Sequence, residues 1–175
     1  MRSRPLKPEE DSAEDLIGEA DQESSQDRKS PERTVYQAAM DLLARREHSS
    51  FELLNKLKTR GYGQEECEQM IEKLIANNLQ SDARFIESYV NSRLHRGIGP
   101  LKLVAELRQR GIDDGPAHAY LDERSIDWFA HARAVYEKKY AGSPDGDGRE
   151  QAKRARFLQS KGFPSDIIRE ILWTD

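Results

Sequence analysis

Apolar side chains in this chain recur at intervals of three and four residues, and no alternating apolar-polar stretch of useful length interrupts them. That periodicity predicts helices rather than strands. Nine such segments follow one another from residue 34 onward. The first three are 34–46 (Val35, Ala39, Leu42, Leu43), 50–60 (Phe51, Leu54, Leu57) and 64–77 (Cys67, Met70, Ile71, Leu74). The next three are 81–96 (Phe85, Tyr89, Val90), 99–110 (Leu103, Val104, Leu107) and 114–123 (Ala117, Tyr120, Leu121). The last three are 126–140 (Phe129, Val135, Tyr136), 148–161 (Ala155, Leu158) and 165–173 (Ile167, Ile168, Ile171, Leu172). Ser49 with Glu52 suits a capping box at the second start, and Pro100 suits the first turn of the fifth segment.

The segments repeat in threes. Arg60-Gly61-Tyr62, Arg110-Gly111-Ile112 and Lys161-Gly162-Phe163 place their glycines 50 and 51 residues apart, and Leu57, Leu107 and Leu158 each stand four residues ahead. A glycine just past the last apolar position is what a helix end needs, because it takes a left-handed conformation without a Cβ penalty. The next apolar residue then packs back. The expected fold is therefore all-α: three tandem three-helix repeats, 34–80, 81–124 and 125–175, stacked into an elongated, curved body. Within the third repeat, AGSPDGDG (141–148) forms a longer polar loop.

Residues 1–33 carry only Leu6, Leu16 and Ile17 as large apolar side chains, too few to offset the entropy of ordering them, so a disordered acidic tail is expected. This segment holds 6 basic and 10 acidic residues, against 22 of each in 34–175, and so accounts for the whole net charge of −4. The body is neutral. No apolar run approaches the roughly 20 residues that span a bilayer, and the first 33 residues lack the apolar core of a secretory signal. With Cys67 as the single cysteine, the reading is a cytoplasmic protein without disulfides.

Within each repeat the signs of charge separate. Basic residues gather on the first two helices: Arg45, Arg46, Lys56, Lys58 and Arg60, then Arg84, Arg93, Arg96, Lys102, Arg108 and Arg110, then Lys153, Arg154, Arg156 and Lys161. Acidic residues follow on the third. Stacked repeats would align the cations as a stripe, and a stripe without net positive charge suits a composite partner, part protein and part phosphate backbone.

Enzyme chemistry finds no footing. His48, His95, His118 and His131 lack carboxylate partners at a useful spacing and read as surface or capping residues. DGDGR (145–149) opens like a calcium loop, yet Arg149 and Arg156 stand where ligands belong. GIGP (97–100) follows a helix and reads as an interhelix turn rather than a phosphate cradle. Cys67 falls on an apolar face, as a packing thiol. No cofactor, metal or catalytic residue is expected.

The stretches LLARREHSSFELLNKLKTRGY (42–62), DARFIESYVNSRLHRGIGPLKLVAELRQRGI (82–112) and RFLQSKGFPSDIIREIL (156–172) resemble, in order, the RecX family of modulators of the bacterial RecA recombinase. The resemblance implies three tandem three-helix repeats in a non-enzymatic protein. It also implies binding to RecA, within the deep groove of its filament on single-stranded DNA, with restraint of ATP hydrolysis, strand exchange and co-protease activity. The basic stripe would then meet acidic groove walls or exposed DNA phosphate, with the protein acting as a monomer. Where the family usually has DDxxFA, this chain has Ser81-Asp82-Ala83-Arg84-Phe85-Ile86, replacing one acid and one small residue. The acidic tail lies beyond the resemblance. A competing reading is a helical nucleic-acid-binding protein that acts independently of RecA, using 33–46 and 92–111 as a helix-turn-helix-like reader.

Overall fold

A computed structural model describes residues 34–141 and 147–173, within one compact unit, Arg33–Asp175. The expected tail, and residues 142–146 of the polar loop, lie outside the described residues. The described residues are all-helical: α1 (Val35–Arg45), α2 (Ser50–Thr59), α3 (Gln64–Ala76), α4 (Asp82–His95), α5 (Pro100–Gln109), α6 (Asp114–Glu123), α7 (Trp128–Tyr140), α8 (Gly148–Ser160) and α9 (Ser165–Trp173). Each helix packs chiefly within its own triplet. Three buried clusters result. The first holds Ala39, Leu42, Leu53, Leu57, Cys67 and Leu74; the second Phe85, Val90, Leu103, Leu107 and Leu121; the third Ala132, Leu158, Phe163 and Ile168.

The second helix of each repeat ends in the same way. Gly61, Gly111 and Gly162 have φ of 90°, 77° and 89°. In each, the amide two residues beyond the helix end reaches back five positions: Tyr62 N–H to Leu57 O at 3.3 Å, Ile112 to Leu107 at 3.1 Å and Phe163 to Leu158 at 3.2 Å. These are Schellman caps. Two of the three glycine turns then dock end-on against the second helix of the preceding repeat. At the seam between repeats 2 and 3, Gly99 N–H donates to Lys161 O (2.8 Å) and Leu101 N–H to Gly162 O (3.1 Å). Orphan amides at the start of α5 thus satisfy orphan carbonyls at the end of α8. Trp128 packs against the apolar clusters of both repeats there.

The seam between repeats 1 and 2 uses side chains instead. Ser49 Oγ donates to Arg110 O (2.6 Å) while accepting from Glu52 N–H (3.0 Å). Asp82 accepts from Ser50 N–H (2.8 Å) and from its hydroxyl (3.1 Å), and Gln80 Nε2 bonds His48 O (3.1 Å). Arg84 pairs with Glu47 (2.8 Å) and Arg110 with Glu52 (3.2 Å). Glu52 also holds Arg46 (2.9 Å) and His48 (3.3 Å), so its carboxylate does not close the capping box its position suggests. A closed box occurs instead at Thr34 with Gln37. The guanidinium carbons of Arg93 and Arg110 each lie 4.6 Å from the centre of the Tyr89 ring, whose hydroxyl donates to Glu106 (2.6 Å). Burial, with that bond to Glu106, pushes the Tyr89 phenol up to about 12, so it stays a donor at neutral pH.

Three residues depart from expectation. Phe51, assigned to an apolar face, is 46% exposed, and Leu53 fills the core in its place. Phe51 faces the glycine turn: a Cβ on Gly111 would stand 2.6 Å from Phe51 Cγ. His48, read as a surface or capping residue, is 3% exposed, because its neighbours Glu52 and Gln80 close the seam over it. Arg154, expected in the exposed stripe, is buried. It stands eight residues before Gly162, the position that Leu53 and Leu103 hold before their own glycines. Its guanidinium donates to Tyr136 Oη (2.7 Å), lies 5.0 Å from the Tyr140 ring and 3.7 Å from Glu150.

Gly111→Ala is predicted to destabilise the protein by about 2 to 4 kcal/mol, combining a left-handed-region penalty with overpacking against Phe51. Urea unfolding of the two forms checks this, with an unchanged midpoint the contrary result. Burial pushes the Glu52 carboxyl up, but hydrogen bonds from His48 and Arg46 more than offset it and hold it below the ordinary 4.5. Its depressed pKa makes the contribution to stability present above pH 4.5 and lost as pH falls through the folded value. Glu52→Gln should therefore cost about 1 to 3 kcal/mol at pH 7, a difference that closes in acid. Thermal melts from pH 3 to 7 read it. For Arg154, Leu should be tolerated or stabilising and Ala should cost roughly 2 to 5 kcal/mol, since the site is a core position filled by a charge. Equal losses in denaturant titrations of both variants would contradict that.

Candidate interaction surface

The basic residues grouped by sequence do not share one environment. Arg45, Arg46, Lys58, Arg96, Arg108, Lys153 and Arg156 are exposed; Lys56, Arg60, Arg84, Arg93, Lys102, Arg110 and Lys161 are half-buried. Arg154 is enclosed by its own repeat. The half-buried arginines are engaged within the chain. Besides the seam pairs of Arg84 and Arg110, Arg93 lies 2.9 Å from Glu106 and Arg60 donates to Ala38 O at 3.2 Å. Arg108, although exposed, bonds Asp114 through both Nε (2.9 Å) and Nη2. That contact raises the Arg108 pKa and lowers that of Asp114.

Charge is least spent on repeat 3. Lys138, Lys139, Arg149, Arg156 and Lys161 make no ion pair among the described residues, and Lys153 makes only a loose one, 3.9 Å from Glu150. Arg149, Lys153 and Arg156 recur at four and three residues, which places them on one side of α8. Leu158 and Arg154 point the opposite way, into the repeat. At the edge of that cationic side sits the half-buried Phe157. Lys139 Nζ lies 4.0 Å and Lys161 Nζ 5.9 Å from its ring centre, and Tyr140 meets it edge-on at 5.7 Å.

Repeat 2 carries a different feature. A cleft of about 340 Å³ opens beside Leu101, which is 60% exposed, with Val104, Leu121 and Trp128 as apolar walls. Arg108, His118 and Asp122 stand among its lining residues. Such a cleft can take an apolar side chain of a partner. Among the described residues, no group of three or more His, Cys, Asp or Glu could hold a metal ion, and no helix is long and apolar enough to cross a membrane. Burial lowers the pKa of His131, whose ring contacts Ile98 O at 3.3 Å in the seam between repeats 2 and 3.

Sequence grouping found the cations but missed their partners. Glu47, Glu52, Glu106 and Tyr89 hold Arg84, Arg110 and Arg93 from positions up to 58 residues away in the chain. The aromatic ring within the repeat 3 cations carried a readable signal, since Lys139-Tyr140 and Arg156-Phe157 each set a cation beside an aromatic.

Comparison with known proteins agrees with this architecture. Family models for the first, second and third three-helix domains of RecX match residues 36–74, 81–119 and 125–172. Regulatory protein RecX of Halorhodospira halophila is 42% identical over 135 residues, covering 77% of this chain and 84% of that protein. Regulatory protein RecX of Ectopseudomonas mendocina is 42% identical over 138 residues, covering 79% and 92%. A crystal structure of RecX from Lactobacillus salivarius superposes with a TM-score of 0.68 at 28% identity, over 79% of this chain and 92% of that one. With three consecutive domain models matched in order and relatives aligned over most of their length, this chain belongs to the RecX family.

Proposed function

We propose that the protein is a non-enzymatic regulator that binds RecA within its filament on single-stranded DNA and restrains ATP hydrolysis, strand exchange and co-protease activity. The observation that carries this reading is the match of all three repeats, in order, to the domains of a family whose relatives are named regulatory proteins. Its place of action is the cytoplasm, and its working form is a monomer. The domain limits are those expected from the period: 34–80, 81–124 and 125–175.

The physical mechanism is occupancy. A body seated in the filament groove excludes a second DNA and a protein substrate, and it shifts the filament toward whichever state it binds more tightly. The contacts divide by chemistry. Exposed cations such as Arg45, Lys58, Arg96, Arg108, Lys153 and Arg156 face a partner's carboxylates or phosphates, while Leu101 and its cleft accept an apolar anchor. Each exposed ion pair contributes roughly 0 to 1 kcal/mol and is screened by salt, so affinity is built from many contacts. Arg84 and Arg110 play a supporting part, holding repeat 1 to repeat 2 through Glu47 and Glu52, while Arg93 is held within repeat 2 by Tyr89 and Glu106.

The test is the single-stranded-DNA-dependent ATPase of RecA, titrated with the full chain. Inhibition is expected well below one copy per recombinase and is expected to weaken as salt rises. Full ATPase activity at equimolar protein, under low salt, overturns the reading.

A further inference from the structure

The least-spent cations of the molecule surround an aromatic ring, and that combination identifies a ligand. A partner rich in carboxylates needs only charge. A single-stranded nucleic acid offers phosphates and, between them, unstacked bases whose faces pack on aromatic rings. We infer that the side of α8 bearing Arg149, Lys153 and Arg156, together with Lys139 and Phe157, is a contact surface for single-stranded nucleic acid.

Three observations carry it. First, Arg149, Lys153 and Arg156 follow one another along one helix side, presenting a row of positive charge to a backbone. Second, nearby carboxylates are occupied: Asp147 caps α8 through Arg149 N–H and Glu150 N–H, Glu150 approaches Arg154 and Lys153, and Glu137 pairs with Arg133 at 3.2 Å. Third, the Phe157 ring is covered on one face by the ammonium of an exposed lysine, Lys139, 4.0 Å from its centre. A cation–π contact at an exposed site is weak and the lysine stem flexible, so a base can replace the ammonium on the ring while the ammonium turns to a phosphate. Tyr140, edge-on at 5.7 Å, and the buried Leu158 beside it in the chain hold the ring in place.

The inference deepens the proposed function by naming the DNA-facing part of the surface, but its test contains no recombinase, so the two readings fail separately. Fluorescence anisotropy of labelled oligothymidylate is measured with the full chain over a salt series. Lys153→Gln/Arg156→Gln should lower the slope of log K against log salt by about 1.4, for two lost phosphate contacts on a single strand. Phe157→Leu should weaken binding roughly five- to a hundredfold with the slope unchanged, as loss of one stacked base predicts. Lys73→Gln, the same charge change on an exposed residue of α3, should alter neither. Circular dichroism melts verify that each variant folds, and the double glutamine variant decides the matter alone if Phe157→Leu does not. The inference is overturned if the oligonucleotide is not bound, if the glutamine variant binds as the parent does, or if Lys73→Gln weakens binding equally.

Discussion

Helix ends are the weak point of any all-helical chain, because the first amides and last carbonyls have no partner within the helix. Here the second helices meet end to end, and their ends satisfy one another. The C-terminal turn of α8 presents Lys161 O and Gly162 O to the first amides of α5, and the C-terminal turn of α5 presents Arg110 O to the N-cap of α2. The alignment also sets the negative end of one helix dipole against the positive end of the next. Close approach is possible only because the turn residue has no side chain: a Cβ on Gly162 would stand 2.6 Å from the Lys102 nitrogen, and one on Gly99 the same distance from the Gly162 carbonyl carbon. One residue type thereby closes the helix and admits its neighbour.

The two seams solve the same problem with different materials, and the difference matters for what the charges are doing. Between repeats 2 and 3 the joint is backbone to backbone, backed by Trp128 against apolar side chains of both repeats. Between repeats 1 and 2 the joint is polar: Ser49, Ser50, Gln80 and Asp82 in hydrogen bonds, Arg84 and Arg110 in ion pairs, with Arg110 also stacked on Tyr89. Partly buried pairs of this kind are less screened than surface pairs. Arginine suits the work, because its planar group stacks on a ring and bonds a carboxylate at once.

Much of the fold was legible because its determinants are local. The period of the glycine turns, the leucine four residues ahead of each and the spacing of apolar residues are short-range features, and the nine helices of the described residues lie where they indicate. The seam was not legible, since nothing in the string near Arg110 points to Glu52 or Tyr89. Arg154 was misread for a related reason. A charged residue among charged residues was assigned to the surface, although its place eight residues before the glycine, where the other repeats have Leu53 and Leu103, was visible. Period outranked residue type there. His48 and Phe51 exchanged their expected environments because each lies at the seam, where burial depends on the neighbouring repeat rather than on the periodicity of its own helix.

Net charge conceals how the cations are allotted. Residues 34–175 are neutral, which by itself argues against a surface that attracts polyanions. Neutrality, however, is a sum over side chains that are not equally available. In repeats 1 and 2, Arg84 and Arg110 are matched with carboxylates across the seam, and Arg93 and Arg108 with carboxylates of their own repeat, so at these four both signs cancel over a few ångströms. In repeat 3, by contrast, the buried Arg154 takes up Glu150 from within the core, leaving the outward cations of α8 without a full complement of carboxylates. Charges on such a side act on a partner within about one Debye length even when the body as a whole is neutral. The arginine that replaces a core leucine in the third repeat thus changes more than packing: by engaging a carboxylate from the inside, it leaves the outer side of its own helix more positive.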